Sequence, residues 1–336
     1  MPEAIGKAWH ADGRVRSGGA HAMILCHGEM LIDFIPTEAR DGTLAYRPVV
    51  GGSPGNVALT IARLGVPSGF VGGLSSDFFG EQIATTLQSN GVAMDYVSRL
   101  DRPTMLAFVD LSGEEPRYAF YDTESAARNW RIEDMPPIVP EATGLHFGSL
   151  SLIRLPAANE FAELMRREAG RRIISFDPNI RANLVEDEAD YRARLNEIFR
   201  LADVIKLSGA DLSWIAPGRD IGDLAADWLA AEARLVVLTR GREGATIFAR
   251  GATASRPTIK VKVADTVGAG DATMGGLLAA LHDRDALSRE RLERFGEAEL
   301  AEILDFALAV AAVTCSRIGA DPPTRTELEA FRHELR

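Results

Sequence analysis

Short apolar runs alternate with amphipathic runs along most of this chain, and that alternation limits the folds open to it. The runs at 23–27, 70–73, 145–147, 173–176, 204–207 and 235–239 have the length and apolar content of buried strands. Stretches of helical period lie at 54–64, 78–89, 157–168, 190–202 and 221–231, and two more helices are expected near 297–317 and 326–335. Strand and helix in regular turn predict an α/β fold: a mainly parallel sheet covered by helices on both faces. The punctuation agrees. Ser53 is a candidate cap, Pro54 suits the first helical position and Gly65 follows the last turn, while Asp77 and Gly91 bracket the next helix. Residues 44–50 and 104–121 depart from the alternation. They read as extended, the second with a hairpin signal at Ser112-Gly113, and are expected to form a small sheet that projects as a lid.

With 336 residues and 46% hydrophobic content, the chain can bury one large core or two modest ones. A net charge of -11 argues against nucleic-acid or anionic-membrane binding as a bulk property. Cys26 and Cys315 are the only cysteines, and both stand in apolar sequence. A disulfide framework is therefore not expected; Cys315 reads as core packing, and a reducing cytosol fits. The six His and two Cys show no metal-ligand spacing, and His27 and His146 are given no role. Residues 1–22 carry no apolar core of a signal peptide and read as a disordered tail, with 23–336 as a single domain. The longest apolar stretch, 306–313, is too short to span a bilayer.

The segment with most chemical content runs from Val263 to Ala280. Residues 259–263 read as a strand, a turn carries Gly268 and Gly270, and a helix of small residues follows. Amides at a helix start lack intrahelical partners and lie at the positive end of the dipole, which suits phosphate oxygens. Asp271 sits in that first turn. A carboxylate beside a phosphate site has a reason to be there if it takes the proton of a hydroxyl attacking the phosphate. Otherwise the segment is a tight turn with an acidic first turn. Gly270 is followed by Asp271-Ala272, not by the Lys-Ser/Thr of a Walker A loop, and the third glycine of a dinucleotide fingerprint is replaced by Thr273.

Five other constellations carry polar groups where ligands gather. Gly51 to Asn56 joins an extended segment to a capped helix, giving close backbone approach and an amide suited to a polyol, or simply a turn and cap. Asp33 lies inside the apolar run 31–35, where it accepts bonds from sugar hydroxyls or faces water on an edge strand. Asp177-Pro178-Asn179-Ile180-Arg181 and Lys206 to Asp211 each end a strand, the place where α/β sheets hold ligands. Asp211 either holds Mg²⁺ through water or begins a short helix at 211–215. Thr239 to Gly244 joins two strands, as a phosphate loop or a plain hairpin.

In this order, over residues 23–324, the pieces resemble the PfkB/ribokinase family of sugar kinases. Asp265-Thr266-Val267-Gly268-Ala269-Gly270-Asp271 is similar to the family's second signature, and Gly51-Gly52 through Asn56 to its first. The resemblance implies a ribokinase-like three-layer sandwich, with lid segments near 34–50 and 98–122. It implies Asp271 as base and Gly268, Ala269 and Gly270 as anion hole. It puts Asp33, Gly51, Gly52, Asn56, Arg181 and Asp265 at the sugar, and Ser208, Thr239, Gly241, Gly244 and Gly270 at ATP. Asp211, standing where relatives carry Glu, implies Mg²⁺ contact through water. Asp265, Val267 and Gly319 fall where the family holds a monovalent cation such as K⁺, while Pro322-Pro323 departs from a hydroxyl ligand position nearby.

Several stretches are most similar to fructokinases, among them 28–36, 146–152, 177–181 and Lys206-Leu207-Ser208. Ala127 departs from the Asp of many relatives, and Asp122 and Glu124 argue against an acidic substrate. The resemblance thus implies ATP-dependent phosphorylation of a ketohexose, fructose at O6, with 2-keto-3-deoxygluconate kinase or ribokinase as alternatives. A homodimer paired through the lid is implied as well, since projecting strands leave open edges. Two other classes, a non-catalytic sugar sensor and a Rossmann oxidoreductase, are disfavoured by intact Asp271 and by the missing third glycine.

Overall fold

The computed structural model describes residues 22–110 and 117–335; residues 1–21 of the tail expected at 1–22 and the turn at Ser112-Gly113 lie outside the described residues. In chain order the strands are β1 (Met23–His27), β2 (Leu31–Glu38), β3 (Leu44–Gly51), β4 (Ser68–Ser75), β5 (Val97–Leu100), β6 (Met105–Asp110) and β7 (Arg117–Tyr121). They continue with β8 (Ala142–Gly148), β9 (Ile173–Asp177), β10 (Val204–Ser208), β11 (Leu235–Thr239), β12 (Ala245–Ala249) and β13 (Ala252–Arg256). The helices are α1 (Ser53–Arg63), α2 (Phe78–Ser89), α3 (Ala157–Glu168), α4 (Glu188–Leu201) and α5 (Gly209–Ile215). They close with α6 (Ile221–Ala231), α7 (Ala269–His282), α8 (Arg289–Leu292), α9 (Glu297–Cys315) and α10 (Arg325–Glu334).

Nine strands form the central sheet in the order β13-β12-β11-β10-β9-β8-β1-β4-β5. All pairs from β5 to β11 are parallel, and at one edge the reversed strand β12 pairs antiparallel with both β11 and β13. Strand side chains alternate between faces, and the two cores divide accordingly. Ile24, Ile173, Val204 and Val237 pack with α1, α7 and α9, whereas Leu25, Ile174, Ile205 and Val236 pack with α3, α4 and α6. The result is the expected three-layer α/β sandwich. Among the described residues no helix is long and apolar enough to cross a membrane.

The second sheet has the order β3-β2-β6-β7. Its strands β2 and β6 pair in parallel, and β3 and β7 flank them antiparallel. β2 is therefore interior, and the edge-strand reading of Asp33 gives way. Residues 97–100 run beside β4 in the large sheet, so the small sheet begins only at Met105 on that side.

Residues 259–263, expected as a strand, are irregular. The edge strand is instead Ala252–Arg256, in which Ala254 is buried and Ala252 half-buried against the core beside α9. Its inward face carries only alanines as apolar residues, and the apolar run read in its place borders a cleft. Both cysteines are free thiols; Cys26 is buried, but Cys315 is only half-buried and lines the same cleft rather than the core.

Candidate active site

A single cleft of about 1400 Å³ opens at the carboxyl ends of the parallel strands, roofed on one side by the small sheet. Ordinary small-ligand pockets measure roughly 300–1,000 Å³, so this one has room for two ligands together.

Helix α7 starts at its floor. Gly268 is the N-cap with φ 75°, and a Cβ there would stand 2.6 Å from the Ala320 methyl. Only glycine satisfies both the left-handed backbone and the close approach. The first intrahelical bond runs from Ala272 N–H to Gly268 C=O at 2.7 Å, so the amides of Gly270 and Asp271 precede it. The Ala269 amide, expected in the anion hole, donates to the Thr266 carbonyl at 3.2 Å and closes the turn. The donors left by this geometry are shifted toward Gly270 and Asp271.

Asp271 is buried in the first turn of α7, and two side chains of α1 hold it. Ser53 Oγ donates to Oδ1 at 2.6 Å and Asn56 Nδ2 donates to Oδ2 at 2.8 Å. Ser53 is thus not the helix cap. Gly52 occupies that position, and the Ser53 hydroxyl is turned onto the carboxylate instead. α1 and α7 pack closely because Gly275 admits Thr60, where a Cβ would meet the threonine at 2.6 Å.

One wall of the cleft comes from the small sheet. Asp33 on β2 faces Gly51 on β3, and a Cβ on Gly51 would lie 2.2 Å from Asp33 Oδ2. Burial lifts the Asp33 carboxyl to about 6 against the opposing pull of Arg181. Arg181 lines the cleft with its guanidinium tied to Asn179 Oδ1 at 2.6 Å. Tyr118 on β7 and Arg47 on β3 complete this wall. Asp122 and Glu124 do not line it: Asp122 is buried between Arg128 and Arg154, and Glu124 pairs with Arg102 on the surface. Ala127 is buried in the core beneath. The sequence argument against an acidic substrate, which rested on those two carboxylates, therefore has no footing in the cleft.

The opposite wall holds Ser208, Thr239, Gly241 and Gly244 together with Lys260 and the apolar Val263, Leu308 and Ala312. Asp211 is committed to the backbone: Oδ1 accepts from Ile180 N–H at 2.8 Å, and Oδ2 accepts from Ser208 N–H at 2.8 Å and Ser208 Oγ at 2.6 Å. Asp265 is committed likewise, accepting from the amides of Val267 at 3.0 Å and Gly319 at 2.9 Å, which draws 265–267 against 319. Among the described residues no group of three or more His, Cys, Asp or Glu could hold a metal ion by itself.

Two charged residues stand in motif segments that gave them no role of their own. Glu29 is buried at the cleft floor and accepts from the Ser151 amide at 3.0 Å, and burial raises its carboxyl above the ordinary range. Lys206 is buried on β10 with Nζ 2.6 Å from Asp177 Oδ2. A lysine inside the apolar run 204–207 was the available signal, because an unpaired charge there is costly.

The pfkB family carbohydrate kinase model matches residues 21–327. The chain is 37% identical over 278 residues to a fructokinase of Rhizobium leguminosarum bv. trifolii, covering 83% of this chain and 85% of that protein. Its fold overlays the ATP-bound fructokinase of Xylella fastidiosa with a TM-score of 0.86 at 32% identity, covering 93% and 98% of the two chains. A Vibrio cholerae O395 fructokinase double mutant, solved with fructose, ADP and potassium ion, overlays with a TM-score of 0.79 at 27% identity over 93% and 98%. The match runs through both glycine segments and both sheets, and the chain belongs to the pfkB family of carbohydrate kinases.

Proposed function

We propose that this kinase transfers the γ-phosphoryl group of ATP to the O6 hydroxyl of fructose. The observation that carries the reading is Asp271, buried at the start of α7 and fixed by Ser53 and Asn56 between the two walls of one cleft. The fructokinases it resembles support the sugar. Asp33, Gly51, Gly52 and Arg181 bind the sugar, and Asn56 acts through Asp271. Each carboxylate oxygen keeps a lone-pair site after its protein bond, so Asp271 can accept the O6 proton. The oxygen then attacks γ-phosphorus in line as the bond to the bridging oxygen breaks and ADP leaves with that electron pair. Positioning and charge stabilisation do most of the work in such a loose transition state. The backbone amides of Gly270 and Asp271, presented by the turn at Gly268, meet the phosphoryl oxygens, and Ser208, Thr239, Gly241 and Gly244 hold the rest of the nucleotide.

Mg²⁺ fits as an ion held by ATP and touched by Asp211 through water, since both Asp211 oxygens already accept protein hydrogen bonds. When bound it offsets phosphate charge. K⁺ fits beside the anion hole, where Asp265 draws Val267 and Gly319 together. The small sheet acts as a lid over a single kinase domain. It also pairs with a second copy: Phe34 and Phe108 stack at 4.5 Å with Tyr46 and Tyr121 edge-on to Phe108, leaving aromatic surface at the rim. A monomeric mass in sedimentation would remove the dimer. The two free thiols suit the cytoplasm, which cell fractionation can check.

The test is ADP release across a sugar panel. Fructose should give the largest kcat/KM, the rate should vanish when EDTA removes Mg²⁺, and it should fall when K⁺ is exchanged for a bulky organic cation. A signal with 2-keto-3-deoxygluconate and none with fructose would sink the substrate assignment. pH gives a second check. Below about 6 the Asp33 carboxyl gains a proton and loses acceptor capacity. The value of kcat/KM for fructose should therefore fall roughly tenfold per pH unit below that point, with kcat at saturating sugar less affected. A flat kcat/KM profile down to pH 5 would separate Asp33 from sugar binding.

A further inference from the structure

The mechanism above leaves the one buried lysine of the cleft unused. Lys206 Nζ donates to Asp177 Oδ2 at 2.6 Å, and both side chains are almost wholly buried, at 4% and 1% exposure. Burial alone would lower the ammonium, but Asp177, with Asp211 and Asp271 behind it, lifts it above the ordinary lysine range. Burial also lifts the Asp177 carboxyl to about 6 against the pull of Lys206, so at neutral pH the contact is an ion pair. The pair is not a sealed structural unit. Asp177 Oδ1 is buried without a hydrogen-bond partner, and Lys206 borders the cleft.

Two features aim the ammonium at the reacting group. Nζ lies beside the first turn of α7: a Cβ on Gly270 would stand 3.1 Å from it. The glycine thus leaves nothing between the ammonium and the amides that meet the phosphate. In addition, an ammonium has three N–H donors, and Asp177 takes one of them. A buried cation with donors to spare, at the point where a dianionic phosphoryl group must pass, is arranged as a preorganised charge stabiliser.

We propose that Lys206 is a catalytic residue, its ammonium donating to an oxygen of the phosphoryl group in flight while Asp177 holds it in place. Lys206 keeps its proton throughout: the O6 proton goes to Asp271, the new O–P bond forms at γ-phosphorus, and the broken bond leaves its electrons on ADP. This assignment rests on the kinase reading of the cleft.

The alternative is that Lys206 only neutralises Asp177, and the experiment separates the two. Lys206→Met leaves a buried carboxylate unpaired and can lose stability for that reason alone. The double variant Lys206→Met/Asp177→Asn removes both charges and restores neutrality. Steady-state kinetics with fructose and ATP are measured alongside the affinity for ADP, with and without aluminium fluoride, in the presence of fructose. The double variant should lose about 10²- to 10³-fold in kcat, as for loss of one oxyanion donor. It should keep ADP affinity within about threefold and lose a comparable factor in the tightening by aluminium fluoride. A double variant whose kcat returns to within about threefold of wild type would overturn the assignment and leave Lys206 a counter-ion. If the wild-type chain itself releases no ADP with fructose, the kinase reading fails, and the assignment falls with it; the wild-type control tells the two failures apart.

Discussion

Asp271→Asn should reduce kcat by about 10²- to 10⁴-fold, the range for removal of a positioned general base, while the dissociation constant for fructose stays within a few-fold. The substitution is nearly isosteric, and its surroundings can adapt. Ser53 donates to one oxygen and Asn56 to the other. If the new amide nitrogen stands at the Oδ1 position, the Ser53 hydroxyl rotates from donor to acceptor and the Asn56 contact is kept. The fold should thus survive, and the loss should appear in turnover. Equilibrium binding of fructose together with single-turnover ADP release checks both halves. Turnover within tenfold of wild type would exclude Asp271 as the base.

Gly268→Ala is expected to be nearly as damaging, by a different route. The residue is held at φ 75°, and the new methyl would sit 2.6 Å from the Ala320 Cβ and 2.9 Å from its Cα. Left-handed backbone costs a residue other than glycine roughly 1–2 kcal/mol, and overlap in a packed site adds about 1–3 kcal/mol. Relief requires the turn to move away from Ala320, carrying the start of α7 with it. A displacement near 1 Å at reacting groups can cost about a hundredfold, so kcat should fall on that scale with a lower Tm. Normal kcat in a crystallographically unshifted variant would contradict the account.

Much of this architecture was legible in the chain. The parallel strands are buried on both faces and read as short apolar runs; α2 begins at the Asp77 cap and ends just before Gly91, and α3 and α6 fill the stretches 157–168 and 221–231 that helical period marks. The misses have physical causes. β13 turns only two apolar residues, both alanines, inward and gains its place from pairing with β12 and from α9, a partner far along the chain. The run 259–263 is apolar because it borders the cleft, not because it is paired. At the site, motif order located Asp271 and the glycines, since their job is local backbone geometry. What motifs could not convey is which side chains converge across the fold. Ser53 looked like a cap and proved to grip a carboxylate 218 positions away, and Asp122 looked like part of the pocket and proved to sit between two arginines.

The packing of α1 against α7 has a consequence for how such an enzyme can change its diet. Ser53, Asn56 and Asp271 belong to two helices anchored in the main body, locked together where Gly275 meets Thr60. Asp33, Arg47 and Tyr118 belong to the other sheet. The machinery that moves a proton and most of the surface that reads a sugar, Gly52 and Arg181 excepted, therefore stand on separate pieces of scaffold. A chain built this way can exchange its reader by altering β2, β3 and β7 while its reaction geometry stays fixed, which makes those three strands the place to graft a new acceptor preference.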